Sequence, residues 1–239
     1  MEKKSYKKPL ILGVLFFLPV FFVLIMSISK ENYNTLDIVK ENVRELPATN
    51  ELQIQLKDHL TVLAFFGKKP MEKATEASNL KELIYDKFKG FKKFQIVVLV
   101  TEEAKAEAQQ LYKEIALYED LRFWHFVYLK EGEINDLFNS LKTNTVLDAN
   151  LATSNVFIVD TDLSQRGRLD DRTDNEIASN KPVYGLSSYN CIEVDQLKNK
   201  MGADDLRVLF TEYREKRKGN FDSSKRRAND INNNNEQEN

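Results

Sequence analysis

The stretch FFGKKPMEKA, residues 65–74, sets Lys68, Lys69, Pro70, Met71, Glu72 and Lys73 between an apolar run and a helical pattern. Ligands of α/β sheets bind at the carboxyl ends of strands, so an elbow in this place is a position for chemistry. Lysines at a helix start add their charge to backbone N–H groups and suit an anion. A lysine stripped of water loses its proton and becomes a nucleophile. The plainer alternative is a solvated loop. Positive charge also opposes the positive end of the helix dipole, which points to an acidic partner for Lys68, Lys69 and Lys73. The elbow holds no cysteine, serine or histidine, so it lacks the usual nucleophiles.

Other residues invite chemistry less strongly. In DTDLSQRGRLDD, Asp160, Asp162 and Ser164 alternate as calcium ligands do, but Gln165 and Asp171 stand where an EF-hand loop needs glycine and glutamate. Arg166 and Arg168 add positive charge there, so a polar hairpin is the better reading. His125 lies in the aromatic run FWHFVY, which reads as core packing, and His59 sits in a turn. Cys191 is the only cysteine, which excludes an intrachain disulfide and a cysteine-based metal cluster and reads as a small buried hydrophobe. Met71, His125 and Cys191 together are the one alternative set of soft metal ligands.

A net charge of −2 gives no basic face for nucleic acid. The first thirty residues bear on location. Lys3, Lys4, Lys7 and Lys8 precede an uncharged run from Pro9 to Ser29. Twenty-one helical residues reach roughly 30 Å, the thickness of a bilayer core. The run is longer than a cleavable signal's apolar region, and Pro19 is tolerable in a membrane helix. The lysines predict a cytoplasmic N-terminus and a domain exposed outside, in the periplasmic sense.

The elements that position the elbow follow from hydrophobic period. LTVLAFF (60–66), FQIVVLV (94–100), LRFWHFVYL (121–129) and NVFIVD (155–160) read as buried strands. LQIQL (52–56) alternates with period two. Leu80, Leu83, Ile84 and Phe88 mark one helix, Ala104, Ala108, Leu111 and Ile115 the next, and Ile134, Leu137, Phe138 and Leu141 a third. Leu206, Leu209, Phe210 and Tyr213 mark a last helix near 203–217. Strands alternating with helices predict an α/β fold with a largely parallel sheet covered on both faces. A closing strand pair and helix narrow it to a thioredoxin-like layout. The predicted plan is a basic segment 1–8, a transmembrane anchor 9–29, a stalk 30–50, the domain 51–217 and a disordered polar tail 218–239, whose KRR (225–227) touches anionic lipid only weakly.

TVLAFFGKKPMEKA, FWHFVYLKEGEINDLF and SNVFIVDTDLSQRGRLDD, in that order, resemble the Sco/SenC group of membrane-anchored, thioredoxin-like proteins linked to cytochrome oxidase copper sites. The resemblance spans roughly residues 45–217. It implies an elbow with two cysteines separated by three residues, each followed by proline, and a copper-binding histidine before the late strand. Pro70 matches the first proline. Lys69 and Lys73 stand at the cysteine positions, Ala74 at the second proline, and the histidine position falls near Ala152. A protonated lysine has no lone pair to give a metal, and thiol–disulfide exchange needs a thiolate. The resemblance therefore implies a degenerate member without cofactor or catalysis. Such a protein acts by contact, with a respiratory oxidase or an assembly factor as the implied partner. The other classes left open are an enzyme or metal carrier using other groups, and a purely structural exported domain.

Overall fold

The structure, a computed structural model, describes residues 7–28, 35–48, 50–117 and 119–219, with side chains in the first of these stretches from 11 to 25. The expectations for residues 1–6 and for the tail beyond 219 lie outside the described residues, as does the stalk between 29 and 34.

Two compact units divide the chain at residue 34. The first contains one helix, α1 (Lys7–Ile28), with Pro19 inside it. Its apolar side chains from Ile11 to Ile25 are exposed. These fifteen residues measure about 22 Å along the axis, against about 33 Å for the 22-residue backbone helix. Among the described residues no helix is long and apolar enough to cross a membrane.

The second unit is built on one sheet. Its strands are β1 (Asp37–Lys40), β2 (Leu60–Gly67), β3 (Phe94–Thr101), β4 (Trp124–Leu129), β5 (Asn155–Val159), β6 (Gln165–Gly167) and β7 (Tyr189–Asn190). Their order is β1-β6-β5-β2-β3-β4, with β7 also beside β5. β2, β3 and β4 run parallel, while β5 is antiparallel to β2 and turns into β6. Between β2 and β3 a 3₁₀ turn (Pro70–Lys73) leads into α2 (Ala74–Leu80), a π turn (Lys81–Tyr85) and the short α3 (Asp86–Phe88). α4 (Lys105–Ala116) joins β3 to β4, α5 (Glu131–Asn139) joins β4 to β5, and α6 (Asp174–Ala178) precedes β7. A π stretch (Gln196–Asp205) runs into α7 (Leu206–Lys218), which ends on Gly219 in the left-handed region.

Alternate residues of each strand serve different cores. Val62, Ala64, Ile96, Val98, Phe126 and Ile158 face α2, α4 and α7 through Ala77, Leu80, Leu111, Leu206 and Leu209. Leu63, Phe65, Val97, Leu99, Val127 and Phe157 face α5 and the segment before β2 through Ile134, Leu137, Val43, Leu46 and Leu56. Burial on both faces explains why β2 and β3 read as unbroken apolar runs.

Three expectations are corrected. The stalk predicted over 30–50 is folded from Thr35 onward: β1 pairs with β6, and Leu36, Val43 and Leu46 are buried. The domain therefore begins well before residue 51. The alternating LQIQL is not a strand. Its amides are taken by side chains instead, Ile54 N–H donating to Asn50 Oδ1 at 2.9 Å and Leu56 N–H to Glu45 Oε1 at 2.7 Å. β4 also starts at Trp124, because Leu121 closes a turn by accepting from the Trp124 N–H.

β1 is held by a buried guanidinium. Arg166 on β6 has no exposed surface and donates to the Leu36 carbonyl at 2.7 Å, to Glu212 Oε1 on α7 at 3.1 Å and to Asp160 Oδ2 at 3.2 Å. The Tyr213 hydroxyl also donates to Asp160, and Leu36 N–H donates to Glu212. Burial pushes the Asp160 carboxyl up, against the opposing pull of Arg166. Asp160 is thus a partner of arginine, and Asp162 Oδ1 accepts from the Ser164 N–H within the turn, so both carboxylates of the alternating pattern serve the hairpin. Replacing Arg166 by methionine takes the guanidinium away from two buried carboxylates, Asp160 and Glu212, and is expected to destabilise the fold by about 3–5 kcal/mol. Adding Glu212→Gln should recover part of that loss. Urea unfolding of both variants measures it; a loss under about 1 kcal/mol for Arg166→Met would remove the network from its structural role.

Candidate functional site

The elbow is shaped by Gly67, the last residue of β2, at φ +59°. A Cβ there would overlap the carbonyl of Asn150, so only glycine fits both the backbone angle and the space. The chain then binds a second loop directly. Lys68 N–H donates to Asn150 O at 2.8 Å, and Thr153 N–H donates to Phe65 O at 3.0 Å. That loop is braced by Asp148, whose Oδ1 accepts from the amides of Asn150 and Ala152. The fold therefore brings together the elbow and the loop around Ala152, the two segments that the sequence resemblance pairs.

Each elbow lysine has an acidic partner inside the chain. Lys68 Nζ lies 2.7 Å from Glu131 on α5, and Lys69 Nζ 3.0 Å from Glu72. Lys73 Nζ donates to Glu76 Oε1 at 3.0 Å and to Ser154 Oγ at 3.2 Å, while Ser154 Oγ donates to Glu76 Oε1 at 2.8 Å. This last trio is enclosed, with the Lys73 side chain 16% and Glu76 7% exposed. Pro70 is buried at the head of the 3₁₀ turn, and Met71 N–H donates to Glu107 on α4 at 3.0 Å. The compensation that the sequence reading sought in an outside acidic partner is thus supplied internally.

The activated-lysine reading is corrected as well. Hydrogen bonding and charge from Glu72 push the Lys69 ammonium up, away from the deprotonated state a nucleophile needs. Lys73 spends two of its three ammonium donors on Glu76 and Ser154. Sequence reasoning missed Glu76, Ser154, Glu131 and Asn150. The i, i+3 spacing of Lys69–Glu72 and Lys73–Glu76 was a signal for two of these pairs; the others needed the fold.

Cys191 lies just beyond β7 and is fully buried, its N–H donating to Ser154 O at 2.8 Å. Burial pushes its thiol well up, with Glu76 adding to the shift and Lys73 opposing it. The thiol is close to the elbow but buried, and that burial disfavours the thiolate, the reactive form in exchange chemistry. Met71, His125 and Cys191 do not converge. His125 is on the edge strand β4 and Cys191 follows β7, four strand spacings away across the sheet, about 19 Å. Among the described residues no group of three His, Cys, Asp or Glu is placed to hold a metal ion. Cu(I) wants thiolate and imidazole donors, and the positions the resemblance assigns to it hold Lys69, Lys73 and Ala152. The donor set does not fit copper.

Three features define the fold around this site: a parallel strand–helix–strand unit with the elbow between its first strand and its helix, an antiparallel β5–β6 hairpin on the other side of β2, and a closing helix. The fold is thioredoxin-like. No family model and no curated protein matches the chain. Among solved structures it is similar to the soluble domain of Sco1 from Bacillus subtilis, at 16% identity over 72% of this chain and 92% of that one, TM-score 0.40. It is similar to a SCO1/SenC family lipoprotein from Bacillus anthracis at 15% identity, over 56% and 86%, TM-score 0.36. A yeast mitochondrial 1-Cys peroxiredoxin matches at 18% identity over 54% of this chain, TM-score 0.40, and the chain spans 64% of that structure's length.

The enclosed trio generates a test. Lys73→Met leaves the Glu76 carboxylate buried with only Ser154 as partner and is expected to cost about 2 kcal/mol. Lys73→Met with Glu76→Leu should recover most of it, since both charges then leave the interior. Denaturant midpoints of the two variants distinguish this from a solvated lysine, for which both changes would be nearly silent.

Proposed function

We propose that this chain is a non-catalytic, Sco-like member of the thioredoxin-like fold, anchored in a membrane by its N-terminal helix and acting by contact. The observation that carries the reading is the elbow itself. At both positions where the resemblance places cysteines it holds lysines, and these are paired with Glu72 and Glu76. The lone thiol, Cys191, is buried behind them. An accessory role toward a respiratory oxidase or an assembly factor comes from the Sco/SenC resemblance alone. The contact surface in this reading is the elbow rim, where the Lys68–Glu131 and Lys69–Glu72 pairs are partly exposed. Exposed charge of this kind tunes association rate and salt dependence more than affinity.

The anchor rests on the uncharged run from Pro9 to Ser29 and the four lysines before it. Its orientation places the domain outside the cytoplasm.

Competition against a chromogenic Cu(I) chelator tests the chemistry: the protein is expected to leave the chelator's copper in place, and stoichiometric withdrawal would overturn the reading. Topology is tested separately. Alkaline phosphatase fused after residue 217 is expected to be active, whereas strong signal from a cytoplasm-only reporter at that point would reverse the orientation.

A further inference from the structure

β2, β3 and β4 are parallel, so the residues just before them gather at one end of the sheet, opposite the elbow. Those residues are His59, Lys92 and Arg122. With His125, the second residue of β4, they line a hollow of about 310 Å³ whose walls also include Gln53 and Gln55. No carboxylate lines it. Lys92 and Arg122 form no ion pair among the described residues, in contrast to Lys68, Lys69, Lys73, Lys81, Lys89 and Lys105. In a chain of net charge −2, this is a convergence of uncompensated nitrogen donors.

The orientation of His59 adds chemistry. Its Nδ1 lies 3.1 Å from the Lys57 carbonyl, which can only accept, so Nδ1 carries the proton. Nε2 is then the nitrogen left over: a lone pair in the neutral ring, a donor once the ring is protonated. We propose that the hollow binds a tetrahedral oxyanion, the phosphate of a small ester or of a lipid headgroup, held by Arg122 and Lys92 and by the protonated rings of His59 and His125. A guanidinium fork, an ammonium and two imidazolium donors match an acceptor with several equivalent oxygens.

Burial lowers the His125 ring's proton affinity, and the neighbouring His59 lowers it further. An anion between the rings reverses both effects, so binding takes up protons and strengthens as pH falls. The other charged groups near His125 lie in the adjoining cleft between α4 and β4: Glu51 and Lys105, paired at 2.5 Å, and Lys113. Asp58 and Asp120 belong to the same loops as His59 and Arg122 without lining the hollow.

The test uses the full chain in neutral detergent with sulfate as probe, a dianion across the working range, and imidazole NMR as readout. At constant ionic strength sulfate is expected to raise the His125 titration midpoint. The half-saturating sulfate concentration should fall roughly tenfold between about pH 8 and about pH 5.5. Lys92→Ala with Arg122→Ala should weaken binding by roughly tenfold or more, while Lys68→Ala with Lys69→Ala should leave it unchanged. Glycerol phosphate in solution and phosphatidylglycerol doped into the micelles then separate the two sources, the variant-sensitive arm naming the ligand. An unmoved midpoint, an equal response to chloride, or unchanged binding in the Lys92/Arg122 variant would overturn the proposal.

Discussion

A guanidinium sealed from water sets the terms for half of this fold. Arg166 cannot lose its proton, so every group around it must serve its charge. Asp160 directly follows β5, Glu212 lies on α7, and the Leu36 carbonyl belongs to the segment entering β1. Three stretches far apart in sequence are thereby fixed to one point. A second cluster repeats the device nearby: Arg168 donates to Asp205 and Asp171, Asp205 accepts from the buried Tyr189 hydroxyl, and Leu169 N–H donates to Asp37. Burial pushes both Asp205 and Tyr189 toward their neutral forms, so this cluster too is stable only when its arginine is in place. Buried ion pairs add little net stability, but they punish wrong pairings heavily. They fix where β1, β7 and α7 dock.

The elbow uses the same logic on a smaller scale. Gly67 lets the chain turn against Asn150, and the Lys73–Glu76–Ser154 trio then closes the space below. Two hydrogen-bonded partners on different segments hold the elbow to the loop near Ala152. The link is polar and uncharged in sum, and it occupies lysine donors that would otherwise be available to a ligand. The arrangement fixes the relation between two loops.

The parts legible in the sequence were those decided by local pattern. β2, β3 and β5 are continuous apolar runs because both faces of the sheet are covered, and the helix spacings around Leu111, Ile134 and Leu209 survive intact. β1 was not legible. DIVK is four residues long, its partner β6 lies more than a hundred residues away, and its place depends on Arg166. LQIQL misled for the converse reason: its alternation is genuine, yet Asn50 and Glu45 side chains satisfy its amides before any strand can. At the elbow the residue types were readable and the i, i+3 acids were in view. Ser154 and Glu131 come from other segments, and only the β2–β5 pairing and the position of α5 bring them in.

The two ends of the parallel strands differ in how their charges are spent. At the carboxyl end, every elbow lysine meets a glutamate supplied by the chain. At the amino end, Lys92 and Arg122 form no ion pair among the described residues, and the two histidines of the sequence lie beside them. The usual order of α/β sheets puts ligands at the carboxyl end because loops and helix starts converge there. Once the elbow's cations are neutralised from within, that advantage disappears. The amino end then becomes the place where an added anion would relieve repulsion without breaking any existing pair, and the imidazoles make that relief conditional on proton uptake.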